Sequence, residues 1–304
     1  MDHLLSFISA LSESGPLWFV IVTVVAFGGL YLYDSYFNNC CSNFSYDNNL
    51  TVFGYEDYNE ILWKNNLCKF VGPAVWPQMY AAAAGCKQSP LNLKDRCSIV
   101  VPSETVPPLV FSCEFDTPPK EMKLYNSGYN EYMFHNIRFR WGPNDNEGSE
   151  HMVNCTRYAM ELQATFVKNS YQHDDILQAA KCGSLLILSY VFMVTPRDNP
   201  YLEPIVNALQ YIKNPMACIS IEPIILSLLT PAFSKDYFTY SGSLTFPPCT
   251  EGVTWIVKPE PLVISSRQVR KFRKLKGCTG LITNNSRPVQ KMNNRDVFYY
   301  DCDE

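Results

Sequence analysis

The pattern of hydrophobic and polar residues predicts a chain built mainly of β-strands. Residues 185–194 form an almost continuous run of β-branched, aromatic and leucine side chains, which is typical of a strand buried on both faces. Residues 134–141 also predict a strand, and Asn136, Arg138 and Arg140 share one of its faces because side chains alternate along a strand. Two positive charges therefore point to the same side of a predicted sheet.

Two surface helices are predicted from start signals followed by apolar stripes. Asn199 and Pro200 are typical of a helix start. The apolar stripe that follows consists of Leu202, Ile205, Val206, Leu209 and Ile212. Ser265 and Gln268 fit a capping box at the start of a second helix. Its core-facing residues are Val269, Phe272 and Leu275.

An uncharged apolar stretch, residues 17–33, follows a short leader of residues 1–16. At about 1.5 Å of rise per residue, this stretch just reaches the length that crosses a bilayer. We favour an uncleaved signal anchor, because the leader contains no Lys or Arg. Two alternatives stay open: the apolar region of a cleaved signal peptide, and a buried helix of the domain.

Composition indicates one large domain preceded by an extension. The chain has 304 residues, of which 47% are hydrophobic and 14% aromatic, enough for a single core of roughly 230 residues. Residues 34–70 are polar and rich in Asn and Tyr, so we interpret them as a stalk, and residues 71–304 as the domain. A net charge of −4 argues against binding to nucleic acid.

Cysteines and glycosylation sequons predict that this domain is lumenal or extracellular. All 12 cysteines follow the apolar stretch, and this number would be unusual in a reduced cytosolic domain. Four N-glycosylation sequons also follow it, at Asn43, Asn49, Asn154 and Asn284. We therefore expect either a single-pass membrane protein or a secreted one.

Several short motifs resemble those of the α-type carbonic anhydrases. They are Gln88-Ser89-Pro90, Gly148-Ser149-Glu150-His151, Glu161-Leu162-Gln163 and Gly242-Ser243-Leu244-Thr245-Phe246-Pro247-Pro248-Cys249. The resemblance implies a mainly β (α+β) single domain with a central, mostly antiparallel twisted sheet of about ten strands and short surface helices. It also implies cis peptide bonds at Ser89–Pro90 and Pro247–Pro248, and a disulfide between Cys86 and Cys249. The other ten cysteines have no assignment.

The resemblance also shows which residues stand at the family's zinc positions. In these enzymes a His-x-His-Trp-Gly strand supplies two zinc ligands, and a third His follows Glu-Leu on the neighbouring strand. Here the three positions hold Arg138, Arg140 and Gln163. A catalytic zinc needs three donors with free lone pairs, and a guanidinium has none. We therefore expect no zinc, no other cofactor and no catalytic residue.

Other pocket residues are partly retained. Thr245 and Glu150 match the pair that aims the zinc-bound hydroxide in the enzymes, and Phe246 replaces a second threonine. His151, beside Glu150, matches a histidine that supports the site without binding metal. Tyr129 stands where fast enzymes carry a proton-shuttling histidine, and a tyrosine of pKa about 10 does not exchange protons near neutrality.

Two roles are open for the arginines. We favour an internal cluster in which Arg138 and Arg140 are neutralised by Glu150 and Glu161, because an unpaired buried charge is costly. The alternative is a pocket in which one arginine binds a small anion, such as bicarbonate or sulfate, through two hydrogen bonds.

A run of positive charges follows the predicted start of the second helix. It comprises Arg267, Arg270, Lys271, Arg273, Lys274 and Lys276. The simpler interpretation is a solvated helix face, and the functional one is docking to sulfated glycans or acidic lipid headgroups.

Taken with the lost ligands, the resemblance favours a catalytically inactive carbonic anhydrase-related protein that binds a protein, a glycan or an anion. The alternative is an active zinc carbonate dehydratase, which reversibly hydrates carbon dioxide.

Overall fold

A computed structural model describes twelve stretches of the chain. They are residues 51–53, 59–63, 66–102, 109, 111, 132–168, 171, 175–215, 217–219, 221, 224–277 and 280–301. The strands are β1 (Thr51–Phe53), β2 (Asn59–Trp63), β3 (Asn66–Val71), β4 (Asn92–Leu93), β5 (Ile99–Pro102), β6 (Tyr132–Trp141), β7 (Met152–Val153), β8 (Met160–Lys168), β9 (Leu185–Thr195), β10 (Tyr237–Ser243), β11 (Glu251–Ser265), β12 (Lys276–Gly277), β13 (Gly280–Leu281) and β14 (Val297–Asp301). The α-helices are α1 (Trp76–Met79), α2 (Ile176–Lys181), α3 (Glu203–Ala208), α4 (Leu226–Leu229) and α5 (Ser266–Phe272).

A seven-stranded sheet dominates the described part of the chain, in the order β5-β14-β10-β11-β9-β8-β6. The β5–β14 and β9–β11 pairs are parallel, whereas the other neighbours are antiparallel. The prediction of a mainly β fold with a mostly antiparallel central sheet is therefore confirmed. This sheet has seven strands among the described residues, against about ten expected. The remaining strands form one three-stranded sheet and two strand pairs.

The sheet is covered on both faces, which explains why β9 has no polar side. One hydrophobic cluster contains Tyr190 and Phe192 of β9 together with residues of α3 and α5. The other contains Leu185 and Ile187 of β9 together with residues of α2. Alternate side chains of one strand thus enter opposite cores, as the apolar pattern of residues 185–194 predicts.

The second predicted helix is confirmed, and the first begins later than predicted. Ser265 caps α5 in a capping box with Gln268. The predicted core residues Val269, Phe272 and Leu275 are all fully buried. Helix α3 begins at Glu203 rather than at Pro200, because residues 199–202 form a turn closed by the Leu202 N–H on the Asn199 carbonyl. Of the predicted stripe, four residues are buried and Ile212 is half-buried.

Several predictions concern residues outside the described ranges. These are the leader, the apolar stretch 17–33, most of the stalk, and the residues Asn43, Asn49 and Tyr129. Within the described ranges, no helix combines the length and apolar character needed to cross a membrane.

Both expected cis peptide bonds, Ser89–Pro90 and Pro247–Pro248, are present.

The predicted disulfide is not formed in the structure. Cys86 and Cys249 both carry free thiols. The Gln88 side chain links the two segments, because its amide donates to the Cys249 carbonyl at 3.3 Å. The two cysteines also differ in burial, because Cys86 is exposed and Cys249 is buried. Burial raises the pKa of the Cys249 thiol to about 12.

Candidate functional site

Strands β6 and β8 bring the predicted pocket residues together by their register. Arg138 lies opposite Gln163, and Arg140 lies opposite Glu161. Because side chains alternate, these four residues share one face of the sheet, whereas Ile137 and its alternate neighbours on β6 enter the hydrophobic core. All four are nearly inaccessible to solvent. The sequence thus places two arginines, a glutamine and a glutamate in one buried polar layer.

The Arg140 guanidinium lies at the centre of this layer. Its Nε is 3.3 Å from Glu150 Oε2 and 3.4 Å from Gln163 Oε1. One terminal nitrogen donates to the Asn285 carbonyl and the other to Thr245 Oγ1, each at 3.2 Å. The side chains of Arg140 and Glu150 are 1% and 0% exposed, so this ion pair is shielded from water.

The pairing of Thr245 with Glu150 differs from the arrangement that the resemblance implies. Among the described contacts, the Thr245 hydroxyl accepts from Arg140, and no hydrogen bond joins it to Glu150. Glu150 instead accepts from Gln163 Nε2 at 2.7 Å. Arg140 contacts both Thr245 and Glu150, because its guanidinium has donors on three nitrogens. The expected direct pair is thus replaced by a pair bridged through arginine.

Gln163 joins the two carboxylates of the layer. Its Nε2 donates to Glu150 Oε2 at 2.7 Å and to Glu161 Oε1 at 2.9 Å. Its carbonyl oxygen faces the Arg140 Nε. Both ends of this amide are therefore engaged by side chains of the same layer.

Glu161 is the most heavily hydrogen-bonded carboxylate of the site. Its Oε2 accepts from the backbone nitrogens of Glu150 and His151, both at 2.8 Å. Its Oε1 is 2.8 Å from His151 Nδ1 and accepts from the Ser189 hydroxyl at 2.8 Å. Burial alone would raise the pKa of Glu161, but the charge and hydrogen bonds of His151 and the hydrogen bond from Gln163 outweigh it and hold the pKa at about 2.

This lowered pKa predicts a loss of stability in acid. Because the pKa is about 2 in the folded chain and about 4.3 for a free glutamate, the unfolded state takes up the proton first. The free energy of unfolding should therefore fall as the pH drops from about 5 towards 2. Urea denaturation at several pH values should show that the free energy of unfolding falls less steeply with acid in Glu161→Gln than in the wild type. The matched variant Glu260→Gln alters an exposed carboxylate and should keep the wild-type slope; equal slopes for all three proteins would contradict the assignment.

His151 connects Glu161 to Tyr240 through its two ring nitrogens. Its Nε2 is 2.7 Å from the Tyr240 hydroxyl, which donates to Ser89 Oγ at 2.9 Å. The ring is fully buried and packs against Trp255, with 4.7 Å between ring centroids. Both ring nitrogens of His151 therefore contact protein side chains.

Arg138 packs its guanidinium against an aromatic ring of the pocket. Its guanidinium carbon lies 4.5 Å from the centroid of the Phe246 ring, a distance typical of a cation–π contact. Arg138 is 3% exposed and Phe246 is also 3% exposed. Phe246, which replaces a second threonine of the family, thus provides the aromatic ring against which Arg138 packs.

Two site residues had no role in the sequence analysis. Asn285 extends the β6 edge, because its side chain accepts from the Trp141 N–H at 2.7 Å and donates to the Phe139 carbonyl at 3.0 Å. The Arg287 N–H donates to Glu150 Oε1 at 2.9 Å. Both lie in the Asn285–Gln290 segment, whose similarity to the family's C-terminal motif was the available signal. That similarity does not indicate which atoms they contact.

The described sequons differ in how the asparagine side chain is held. Asn154 is exposed, and its amide donates to Asp95 Oδ2 at 2.7 Å. Asn284 is half-buried, and its Oδ1 accepts from the Ser286 hydroxyl at 2.7 Å. Both sites stay predictions of glycosylation.

The structure divides the six predicted surface cations of the α5 region. Arg267 forms ion pairs with Asp198 and Glu203, at 2.9 and 2.7 Å. Arg273 forms one with Asp145 at 2.7 Å. The other four are exposed; they are Arg270, Lys271, Lys274 and Lys276. The charge run is therefore two paired arginines plus four solvent-facing cations.

Comparison with known proteins agrees with this fold. The family model of the eukaryotic-type carbonic anhydrases matches residues 127–301. Carbonic anhydrase 1 of Monodelphis domestica is 31% identical over 247 residues, which cover 74% of this chain and 94% of that protein. The matched region contains the strands that carry Arg138, Arg140 and Gln163 as well as the segment with Asn285 and Arg287. The chain therefore belongs to the eukaryotic-type carbonic anhydrase family.

Proposed function

We propose that this chain is a catalytically inactive carbonic anhydrase-related protein that acts by binding another molecule. The observation that carries the proposal is the position of Arg140, whose guanidinium reaches both Thr245 and Glu150. In the family's enzymes these two positions orient the reacting hydroxide. Here an arginine lies between these two side chains and contacts both, so they do not form the direct pair that orients the hydroxide in those enzymes.

The residues at the three ligand positions do not fit a zinc ion. Arg138 and Arg140 offer N–H donors and no lone pair, and their positive charges would repel a dication. Gln163 has a single carbonyl oxygen, which faces Arg140. A catalytic zinc requires three protein donors and an open position for water. The chemistry of these donors favours an internal hydrogen-bonded layer over a metal centre.

For Arg140, the contacts also favour the internal cluster over an anion site. Its nitrogens contact Glu150, Gln163, Thr245 and the Asn285 carbonyl. A buried arginine with these partners needs no external anion to balance its charge, because Glu150 supplies the negative charge at 3.3 Å.

The proposed setting is a domain held at a membrane, or secreted, on the lumenal or extracellular side. The apolar stretch 17–33, the 12 cysteines and the four sequons support it. Fold does not imply function, so the partner has to be sought on the surface of this chain. A protein or a sulfated glycan is the kind of partner we propose.

The direct test measures zinc content and carbon dioxide hydration on one sample of the full chain. We expect less than about 0.1 zinc per chain after purification in zinc-containing buffer, since Arg138, Arg140 and Gln163 do not supply three metal donors. We also expect no hydration rate above background. A zinc-loaded carbonic anhydrase serves as the positive control. Stoichiometric zinc together with an inhibitor-sensitive rate would establish the alternative, an active carbonate dehydratase.

A further inference from the structure

The solvent-facing cations of α5 continue onto a neighbouring segment. The Lys276 N–H donates to the Lys213 carbonyl at 2.8 Å, so these two residues are adjacent. Lys213 is exposed. We define the α5 cationic surface as Lys213, Arg270, Lys271, Lys274 and Lys276. Lys213 precedes the other four residues by more than fifty positions, so no local sequence pattern connects it with them.

The members of this surface are close neighbours, and none of them forms a salt bridge within 4 Å among the described residues. The Lys274 N–H donates to the Lys271 carbonyl, so the helical turn continues past the end of α5. Residues three and four positions apart, such as Arg270 and Lys274, then have Cβ atoms about 5–6 Å apart. In the described part of the chain, the carboxylates near α5 pair with Arg267 and Arg273 instead.

The helix dipole explains only part of this arrangement. Cations in the last turn of a helix are favourable, which accounts for Arg270 and Lys271. Lys213 and Lys276 lie outside the helix, where that effect has faded. Like charges at helical spacing are destabilising. The five exposed cations thus form a local positive surface on a chain of net charge −4.

We propose that the α5 cationic surface binds a sulfated glycan, and this inference rests on the proposed binding function. A sulfate group accepts two parallel hydrogen bonds from an arginine fork and attracts lysine as a point charge. Asp145, Asp198 and Glu203 belong to other segments of the chain and border α5 through their ion pairs with Arg273 and Arg267. A broad anionic bilayer would also meet these carboxylates and be repelled by them, whereas a narrow polyanionic chain can contact the cations alone.

The test compares two triple charge reversals of the full-length chain in detergent. The surface variant is Lys271→Glu/Lys274→Glu/Lys276→Glu. The matched control is Lys87→Glu/Lys181→Glu/Lys291→Glu, which changes the net charge equally at exposed lysines elsewhere. Binding to immobilised heparin is measured at physiological salt, with thermal unfolding as the check on folding. We expect the surface variant to bind about tenfold or more weakly, and the control to stay within about twofold of wild type.

Three outcomes would overturn the inference. The first is no retention of the wild-type chain on heparin, and the second is an equal loss in both folded variants, which would indicate net charge alone. The third is stronger binding to phosphatidylserine vesicles than to heparin, with the same loss in the surface variant, which would indicate a lipid surface. None of these results changes the expected zinc content or hydration rate, so a failure here is distinguishable from a failure of the proposed function.

Discussion

Replacing Arg140 by methionine is expected to lower the free energy of unfolding by about 3–5 kcal/mol, because it leaves a buried carboxylate without its counter-charge. Glu150 is fully buried, and Arg140 is its only ion-pair partner among the described residues. Methionine retains much of the side-chain length, so the loss comes mainly from the charge and not from a cavity. Urea denaturation at pH 7 measures the change.

A matched control and a rescue variant separate the charge effect from general damage. Arg270→Met alters an exposed arginine of α5 and should change stability by no more than about 0.5 kcal/mol. Arg140→Met/Glu150→Gln removes the orphaned charge and should be more stable than Arg140→Met alone, since neutral replacements of buried pairs are tolerated. A loss no larger than that of the control, or no rescue, would show that the ion pair contributes little.

Restoring histidines at the three ligand positions is expected to create a zinc site. In Arg138→His/Arg140→His/Gln163→His, three imidazoles would occupy one face of β6 and β8, because the strand register already brings these positions together. Glu161 and its neighbours remain available to orient the new ligands. We expect about one zinc per chain, measured by metal analysis after exhaustive dialysis.

The control for this variant removes the same charges without supplying strong ligands. Arg138→Asn/Arg140→Asn should bind no zinc, although it also relieves the electrostatic repulsion. Zinc binding by this control would mean that charge alone excludes the metal. A folded histidine variant without zinc would show that β6 and β8 do not present these positions in ligand geometry.

The layer around Arg140 explains how this fold accommodates two buried arginines. Two guanidiniums enter a polar layer in which Glu150 and Glu161 already supply buried negative charge. Gln163 then links the two carboxylates through one amide nitrogen. Arg140 and Gln163 thus have charged and polar partners within the layer, which offsets the desolvation of Arg140.

The sequence by itself determined the family, the mainly β fold, the shared face of Arg138 and Arg140, and the capping box of α5. Motif similarity, the two-residue period of a strand and a four-residue cap are local signals, so they can be read without a structure.

Only the tertiary structure decided which atoms meet. The contacts of Arg140 with Thr245 and Asn285 join residues 105 and 145 positions apart, so no local pattern reports them. The same holds for the division of the α5 cations into paired and solvent-facing groups, because Asp145 and Asp198 come from distant segments. Helix α3 starts late because residues 199–202 form a turn. The Asn199-Pro200 signal does not distinguish such a turn from the start of a helix. Pairing of charges depends on distances of a few ångströms, and the fold alone sets those distances.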